Sequence, residues 1–227
     1  MAGCISPDFE NFFFLSTGHE QGHTLAGLFY FDLPVAFLIS LLFHNLVRDP
    51  LTANLPGYLR NRLSGNWTFP FLETLKQRWP VFILSVLIGA ASHIGWDNLT
   101  HNGWAAMNLE FYRAWSVRVG DLDYPPFYVL QQISTVLGTT IVLTYLLLLP
   151  PAHPVTNGQL NQLRTWWFWP MLFSLAGMVM FLRFNWPIDD VDRELGNLVI
   201  ALIGSTLAGL LVSSLAVRTL NGSRGHY

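Results

Sequence analysis

Long apolar stretches alternate with polar segments along the chain, and five of the stretches are long enough to cross a membrane. A helix needs roughly 20 apolar residues to span a hydrocarbon core about 30 Å thick. Pro34 predicts a kink in the first span. The predicted spans are residues 25–47, 81–101, 127–149, 166–186 and 196–217. The pattern predicts an all-α, polytopic membrane protein that forms a single membrane domain over residues 1–227.

The segment between the first two predicted spans, residues 48–79, is too polar to cross a membrane. Leu55, Leu59 and Leu63 recur within it at the spacing of one helix face. We therefore expect short helices that lie on the membrane surface in this segment.

Basic residues are concentrated on one side of the predicted bundle, and acidic residues dominate the other side. Loops with excess Lys and Arg normally face the cytoplasm, which predicts an extracytoplasmic N-terminus. The basic residues of the predicted cytoplasmic side are Arg48, Arg60, Arg62, Lys76, Arg78, Arg164, Arg218 and Arg224.

The composition supports a membrane protein and excludes other classes. Hydrophobic residues make up 52% of the chain, and only 11% of its residues are charged, against roughly 25% in a soluble domain. A formal net charge of -2 and the lack of a basic stripe argue against nucleic acid as a partner. Cys4 is the only cysteine, so any metal must be held by His, Asp and Glu.

His93, Asp97 and His101 recur every four residues within the second predicted span. Because a helix turns every 3.6 residues, these side chains form one row of two imidazoles and a carboxylate. Ionisable groups are costly in a membrane and are therefore candidates for function. Such ligands suit zinc, manganese or iron, so the row predicts a site for a divalent metal ion.

The start of the first span brings more polar side chains to the same predicted membrane face. We expect His23 to bind the metal and His19 and Glu20 to line the site. Asp32 lies about 13 Å deeper along a continuous helix, where an isolated charge would be unfavourable unless a metal or a protonated His93 relieved it. Asp32 is therefore either a catalytic proton acceptor or half of a structural Asp–His pair.

A Pro-Asp-Phe-Glu motif near the start of the chain contributes two carboxylates, Asp8 and Glu10. They could cap the helix that follows. Alternatively, Asp8 binds the metal, and Glu10 orients a ligand or water or takes a proton as a catalytic residue. In the third span, Gln131 and Ser134 are predicted to line the site, although Gln132 could replace Gln131 as the inward residue.

Residues 19–23 also match the His-Glu-x-x-His pattern of zinc proteases, in which two histidines on one helix bind zinc and the glutamate acts as a base. Gly18 and Gly22 place this segment in a loop or at a helix start rather than inside a helix. A protease is therefore an alternative that only a helical conformation of residues 19–23 would support.

Five motifs together resemble a known family. They are Pro-Asp-Phe-Glu at 7–10, Gly-His-Thr-Leu-Ala-Gly-Leu-Phe-Tyr-Phe-Asp-Leu-Pro at 22–34, Phe-His-Asn-Leu-Val-Arg at 43–48, Ser-His-Ile-Gly-Trp-Asp-Asn-Leu-Thr-His at 92–101 and Gln-Gln-Ile-Ser-Thr-Val-Leu-Gly at 131–138. This pattern resembles a bacterial domain-of-unknown-function family of multi-spanning inner-membrane proteins. It is more distantly similar to the LexA-regulated inner-membrane metal-dependent hydrolases.

The resemblance implies a bacterial inner-membrane location and a metal site in a helical membrane protein. The positions that match the hydrolases are Asp8, His23, His93, Asp97 and His101. In the closer family, a segment with a Ser-His step usually precedes the Pro-Asp-Phe-Glu motif. This chain begins too late to contain that step, so the resemblance implies a start further upstream or one ligand fewer.

Together these observations predict a membrane-embedded metal-dependent hydrolase that acts on a lipid or phosphoester at one membrane face. Membrane lipid is the expected partner, and an oligomer or a larger membrane complex is compatible with the pattern. The alternative is a protein without catalytic activity, either a membrane subunit or an ion-handling protein, in which the His/Asp cluster is structural. Whether the protein is an enzyme therefore depends on what this cluster holds.

Overall fold

The computed structural model describes residues 1–64, 70–150, 162–185 and 195–222. In this part of the chain, nearly all regular structure is helical. The α-helices in chain order are α1 (Phe9–Phe14), α2 (Leu28–Asn54), α3 (Gly57–Leu63), α4 (Phe71–Thr100), α5 (Trp104–Asn108), α6 (Pro126–Leu148), α7 (Phe168–Asn185) and α8 (Leu195–Gly222).

Five of these helices, α2, α4, α6, α7 and α8, are long and apolar enough to cross a membrane. The other three are short, with five to seven residues each. The prediction of an all-α, polytopic protein with about five spans and short additional helices is therefore confirmed. Large apolar side chains such as Leu148, 76% exposed, cover the outside of the long helices, as expected for surfaces that face lipid.

The bounds of the first two long helices differ from the predicted spans. Helix α2 continues to Asn54, and α4 begins at Phe71, so much of segment 48–79 extends these helices. Hydropathy follows apolar content, whereas helix formation also tolerates residues such as Glu73 and Lys76. Pro80 lies inside α4, and the backbone at Arg78 is non-helical (φ -128°, ψ 29°). Residues 65–69 and the predicted span end at 186 lie outside the described residues.

Helix α2 passes through Pro34 without ending, because the turn before the proline is wider than an α-helical turn. Leu28–Asp32 is π-helical, and a second π-helical turn covers Phe43–Val47. Proline lacks the N–H that would close an ordinary turn, and π-helical turns are a known accommodation within helices. Asp32, at the end of the first wide turn, is fully buried.

The N-terminal segment lies against the middle of α4, where two glycines permit close approach. A Cβ atom on Gly3 would overlap the carbonyl oxygen of Val86, and a Cβ atom on Gly89 would lie 3.1 Å from the backbone nitrogen of Cys4. Ser6 is fully buried and donates a hydrogen bond to the Gly3 carbonyl (3.0 Å). This packing brings the residues that follow, including Asp8, to α4.

Helix α1 is fixed to the last two long helices. A Cβ atom on Gly204 of α8 would overlap the Phe12 carbonyl oxygen, so the glycine makes room for α1. Arg183 Nε of α7 donates a hydrogen bond to the Leu15 carbonyl (3.3 Å). Thr17 donates from its backbone nitrogen (2.8 Å) and its hydroxyl (3.0 Å) to Asn197 Oδ1 of α8.

A two-stranded antiparallel hairpin, β1 (Val117–Val119) and β2 (Leu122–Tyr124), lies between α5 and α6. The hydropathy pattern did not predict it. Gly120 has a φ of 62°, a conformation that tight hairpin turns favour and glycine adopts without steric cost.

At the opposite end of the bundle from α1, charged residues of α2 and α8 form ion pairs. Arg48 Nε lies 2.7 Å from Asp49 Oδ1, and Arg218 Nη2 lies 2.9 Å from Asp49 Oδ2. Arg218 Nε also donates to the Leu46 carbonyl (3.0 Å). We call Arg48, Asp49 and Arg218 the arginine end. They join the C-terminal parts of α2 and α8.

Candidate metal centre

Three separate parts of the chain bring four potential metal ligands together. Asp8 precedes α1, His23 ends a 3-10 turn at Gln21–His23, and His93 and Asp97 lie one turn apart on α4. One ligand atom from each of these four residues lies within 4.8 Å of the others. We call the four residues the histidine end.

The distances within this group are short and similar. His23 Nε2 lies 3.2 Å from Asp97 Oδ2 and 3.5 Å from Asp8 Oδ1. His93 Nε2 lies 3.0 Å from Asp97 Oδ2 and 3.5 Å from Asp8 Oδ2. Each imidazole therefore contacts both carboxylates, and the ligand atoms surround one small volume.

These separations fit a divalent metal ion. Zinc lies about 2.1 Å from nitrogen and oxygen ligands, so two ligands of one ion are roughly 3.0 to 3.4 Å apart. His93 Nε2 is buried and, within the described part of the chain, has no partner with hydrogen-bond geometry, despite its short distance to Asp97. Two imidazoles and two carboxylates also form a donor set that zinc, manganese and iron accept. These residues could hold a metal ion.

The charges of the group stabilise one another. Burial raises the pKa of Asp8, but its contacts with the His23 and His93 imidazoles outweigh this and lower it to about 2. Contacts with Asp8 and Asp97 raise the pKa of His23 to about 9, against the opposing effect of burial. Without a metal, a proton on His23 therefore takes the place of a cation between the two carboxylates.

The ligand group opens into a cavity of about 510 Å³. Ile94 and Asn98 of α4 and Ile200 of α8 form part of its wall. The side chains of the four ligand residues are between 17% and 35% exposed. The group is therefore shielded but reachable from the cavity.

His101 lies beside this group, in contact with one ligand. Its Nδ1 atom lies 3.6 Å from Asp97 Oδ1, and its Nε2 atom lies 2.8 Å from Gln131 Nε2. Helix α4 ends at Thr100, and His101 has an extended backbone (φ -124°, ψ 172°). The His101 N–H still donates to the Asp97 carbonyl (2.9 Å), so the predicted row reaches His101, but its imidazole lies beside Asp97 and outside the four-ligand group.

The predicted proton acceptors are both buried but differ in their partners. Glu10 is 5% exposed, and its Oε2 accepts a hydrogen bond from the Gln21 backbone (2.9 Å). Neither carboxylate oxygen of Asp32 has a hydrogen-bond partner among the described residues. Asp32 interacts electrostatically with His23 and His93. Glu10 therefore supports the turn that carries His23, while Asp32 is a buried carboxylate that interacts with both histidines.

The predicted lining residues take different positions. His19 Nε2 lies 3.1 Å from Ser16 Oγ. Glu20 is exposed at the cavity. Ser134 donates to the Leu130 carbonyl of its own helix (2.7 Å). Of the predicted lining residues, His19 and Glu20 therefore line the cavity. Gln131 contacts it through His101, and Ser134 is bonded to its own helix.

The segment 19–23 does not form the helix that the zinc-protease pattern requires. Only Gln21–His23 is helical, as a single 3-10 turn, and Gly18 before it has a φ of 93°. His19 and His23 consequently contact different partners. The geometry gives the protease alternative no support.

Asn197 is a supporting residue that the sequence analysis missed. It is 8% exposed near the start of α8 and accepts both hydrogen bonds from Thr17. The available signal was an amide side chain at the start of the most apolar span, where a polar group needs a partner.

Fold and site together define a multi-pass helical membrane protein with a His/Asp cluster that could hold a metal ion. The family model described as domain of unknown function DUF4184 matches residues 1–215, and the chain belongs to this family. The predicted membership of an uncharacterised family is therefore confirmed. No curated protein and no solved structure matches the chain. The distant similarity to LexA-regulated hydrolases remains a prediction.

Proposed function

We propose that the protein is a membrane-embedded metal-dependent hydrolase whose active site is the histidine end. The observation that carries this proposal is the approach of Asp8, His23, His93 and Asp97 to within 4.8 Å of one another. They come from three chain segments, so no single local structure accounts for their meeting. A purely structural cluster that joins two helices would need only one Asp–His pair, whereas this group contains two aspartates and two histidines.

The proposed chemistry is hydrolysis of a lipid or phosphoester. A bound divalent ion would supply a water of lowered pKa and polarise the attacked group. Asp8, His23, His93 and Asp97 would hold the ion, with His101 placed to interact with Asp97 from outside the group. Zinc, manganese and iron all fit this donor set.

Asp32 is the proposed proton acceptor. Among the described residues its two oxygens have no partner with hydrogen-bond geometry, and its buried carboxylate interacts electrostatically with His23 and His93 and lies near Ser6. Glu10, the other candidate, is a positioning residue in this proposal, because its hydrogen bond to the Gln21 backbone holds the turn before His23.

The location of the cavity supports an amphipathic substrate and membrane lipid as the partner. Trp96, 54% exposed, lies on α4 beside Asp97, and aromatic rings favour the membrane interface. The basic residues near the arginine end support placing that end in the cytoplasm and the N-terminus outside it. On the family resemblance, we assign the protein to a bacterial inner membrane.

Metal analysis of the purified protein tests the proposal most directly. We expect about one divalent ion per chain in the wild type. We expect loss of that ion in His93→Ala and Asp97→Ala, because each variant removes one of four ligands. His101→Ala should retain the ion with reduced affinity, since second-sphere changes typically cost 10- to 100-fold. Asp123→Ala, in the exposed hairpin, is the matched carboxylate control.

Activity is then measured with a bis-nitrophenyl phosphate in mixed micelles. Turnover of this phosphodiester should follow metal content and disappear in Asp32→Asn while metal stays bound. A folded wild type that binds no divalent ion would overturn the proposal and favour a structural cluster. Metal-bound protein without turnover would favour a subunit or ion-handling protein instead.

A further inference from the structure

Beside the metal centre, three other side chains form a connected group. Ser16 Oγ lies 3.1 Å from His19 Nε2, and His19 Nδ1 lies 4.0 Å from Glu10 Oε1. We propose that these residues form a nucleophilic serine relay that cleaves carboxylic esters through an acyl-serine intermediate. This activity goes beyond the proposed hydrolase, because none of its three residues belongs to the histidine end.

The order of the contacts is the one that nucleophilic catalysis requires. A nucleophile lies within hydrogen-bond reach of one nitrogen of a base, and an acidic group faces the other nitrogen. The distance from His19 to Glu10 is longer than a hydrogen bond, as is frequent where no substrate is bound. In this arrangement, Ser16 is the nucleophile, His19 is the base and Glu10 is the positioning residue.

The His19 ring is held by further contacts. It stacks on the Phe14 ring, with 4.5 Å between centroids and 26° between planes. The His19 backbone N–H donates to Asn11 Oδ1 (3.1 Å). Glu10 is 5% exposed and is fixed through its other oxygen by the Gln21 backbone. Both partners of the serine are therefore oriented before a substrate binds.

The backbone before the serine is strained. Leu15 has a φ of 56° and a ψ of 33°, a left-handed conformation that is unfavourable for a residue with a side chain. Hydrogen bonds from Arg183 to the Leu15 carbonyl and from Thr17 to Asn197 hold the turn on both sides of Ser16. Leu15 ends α1 in this way, with the Ser16 N–H donating to the Asn11 carbonyl (3.2 Å), and the turn places Ser16 next to His19.

The cavity indicates the substrate class. His19 lines the same cavity of about 510 Å³ as His23 and Asp97. Among the described residues, no Lys or Arg side chain lines it, while Asp8, Glu20 and Asp97 do. Without the metal ion proposed above, a polyanionic group would meet these carboxylates with no compensating cation. For a relay that works without the metal, an uncharged ester of a fatty acid is therefore the better substrate.

The reaction balances with the ester and water alone. Ser16 Oγ bonds to the carbonyl carbon of the ester, and its proton passes to His19 Nε2. The bond between that carbon and the alcohol oxygen breaks, and the leaving alcohol takes the proton from His19. Water then attacks the acyl-serine, gives a proton to His19 and releases the fatty acid, while Ser16 Oγ regains the proton.

Labelling with a fluorophosphonate tests the relay without a known substrate. This probe bonds to an activated serine with loss of fluoride. We incubate the full chain in detergent with the probe, measure intact mass and locate the adduct by peptide mass spectrometry. We expect one adduct on Ser16, none in Ser16→Ala, and a labelling rate at least about 100-fold lower in His19→Gln. Glu10→Gln should slow labelling about 10-fold, and Ser64→Ala should label like the wild type.

A wild type that is folded by thermal melting but gives no adduct on Ser16 would overturn the relay. Equal labelling rates in wild type and His19→Gln would do the same, because the Ser16–His19 contact would then be a local hydrogen bond only. Labelling is also measured with a chelator and in Asp97→Ala, where we expect it to persist. Metal binding without an adduct therefore rejects the relay alone, and an adduct without metal binding rejects the proposed metal hydrolase alone.

Discussion

The two ends of the helix bundle both join distant segments through charged side chains, but with different residue types. At the arginine end, Asp49 accepts from Arg48 through one oxygen and from Arg218 through the other. At the histidine end, Asp97 faces two histidines, His23 and His93, over similar distances. One end is a set of directed ion pairs, and the other is a group of atoms around a common volume.

The difference between arginine and histidine as partners of aspartate explains why, of these two ends, the histidine end is the candidate for metal binding and proton transfer. A guanidinium group has donors only and stays protonated, so Arg48 and Arg218 cannot bind a metal ion or exchange a proton near neutral pH. An imidazole can lose its proton and offer a lone pair to a metal. The same attraction between opposite charges that closes the arginine end therefore leaves the histidine end able to exchange a proton for a metal ion.

The largest expected contrast between the ends is stabilisation by metal. Zinc at about 100 times its dissociation constant should stabilise the folded protein by about 2.7 kcal/mol, which corresponds to a rise in Tm of roughly 5 to 10 °C. Asp97→Ala should remove this rise, and Asp49→Ala should keep it. Thermal melts with zinc and with a chelator measure the difference. Equal rises in both variants would place the bound zinc elsewhere.

A smaller contrast is the pH dependence of the metal-free protein. The pKa of His23 is raised from 6.5 to about 9, so its contribution to stability is complete below pH 6.5 and is lost as the pH rises through 9. The pKa of Asp8 is lowered from 3.8 to about 2, so its contribution is present above pH 3.8 and is lost as the pH falls through 2.

Melts of the metal-free protein between pH 5 and 10 measure the alkaline part of this dependence. His23→Gln should reduce the loss of stability between pH 6.5 and 9, with His93 between the same carboxylates accounting for what remains, whereas Arg218→Met should leave the loss unchanged. The same alkaline slope in wild type and His23→Gln would show that the imidazole is not held between the two carboxylates.

The smallest expected effect is at the arginine end itself. Arg218→Met keeps an apolar chain of similar length and removes the contacts to Asp49 and the Leu46 carbonyl. The Arg218 side chain is 33% exposed, and partly exposed ion pairs contribute about 1 kcal/mol or less. Chemical unfolding with zinc present should show this small loss and an unchanged zinc-dependent stabilisation. A loss of zinc binding would mean that the two ends are coupled.

The sequence alone determined the features that depend on local periodicity and composition. Five long apolar stretches predicted five long helices, because a helix satisfies its backbone hydrogen bonds within one segment of chain. The four-residue spacing of His93 and Asp97 placed both on one face of α4 for the same local reason. His101 marks the limit of such reasoning, because the spacing brings it to Asp97 but does not place it in the four-ligand group.

The tertiary structure decided which residues meet. Asp8 reaches α4 because Gly3 and Gly89 let the N-terminal segment lie against that helix. His19 and His23 lie four residues apart but contact different partners, because no helix forms between them. Periodicity describes one segment at a time, whereas these contacts depend on close packing between segments distant in sequence. The row of His93, Asp97 and His101 was visible in the sequence, and the cluster to which two of these three residues belong arises only from packing.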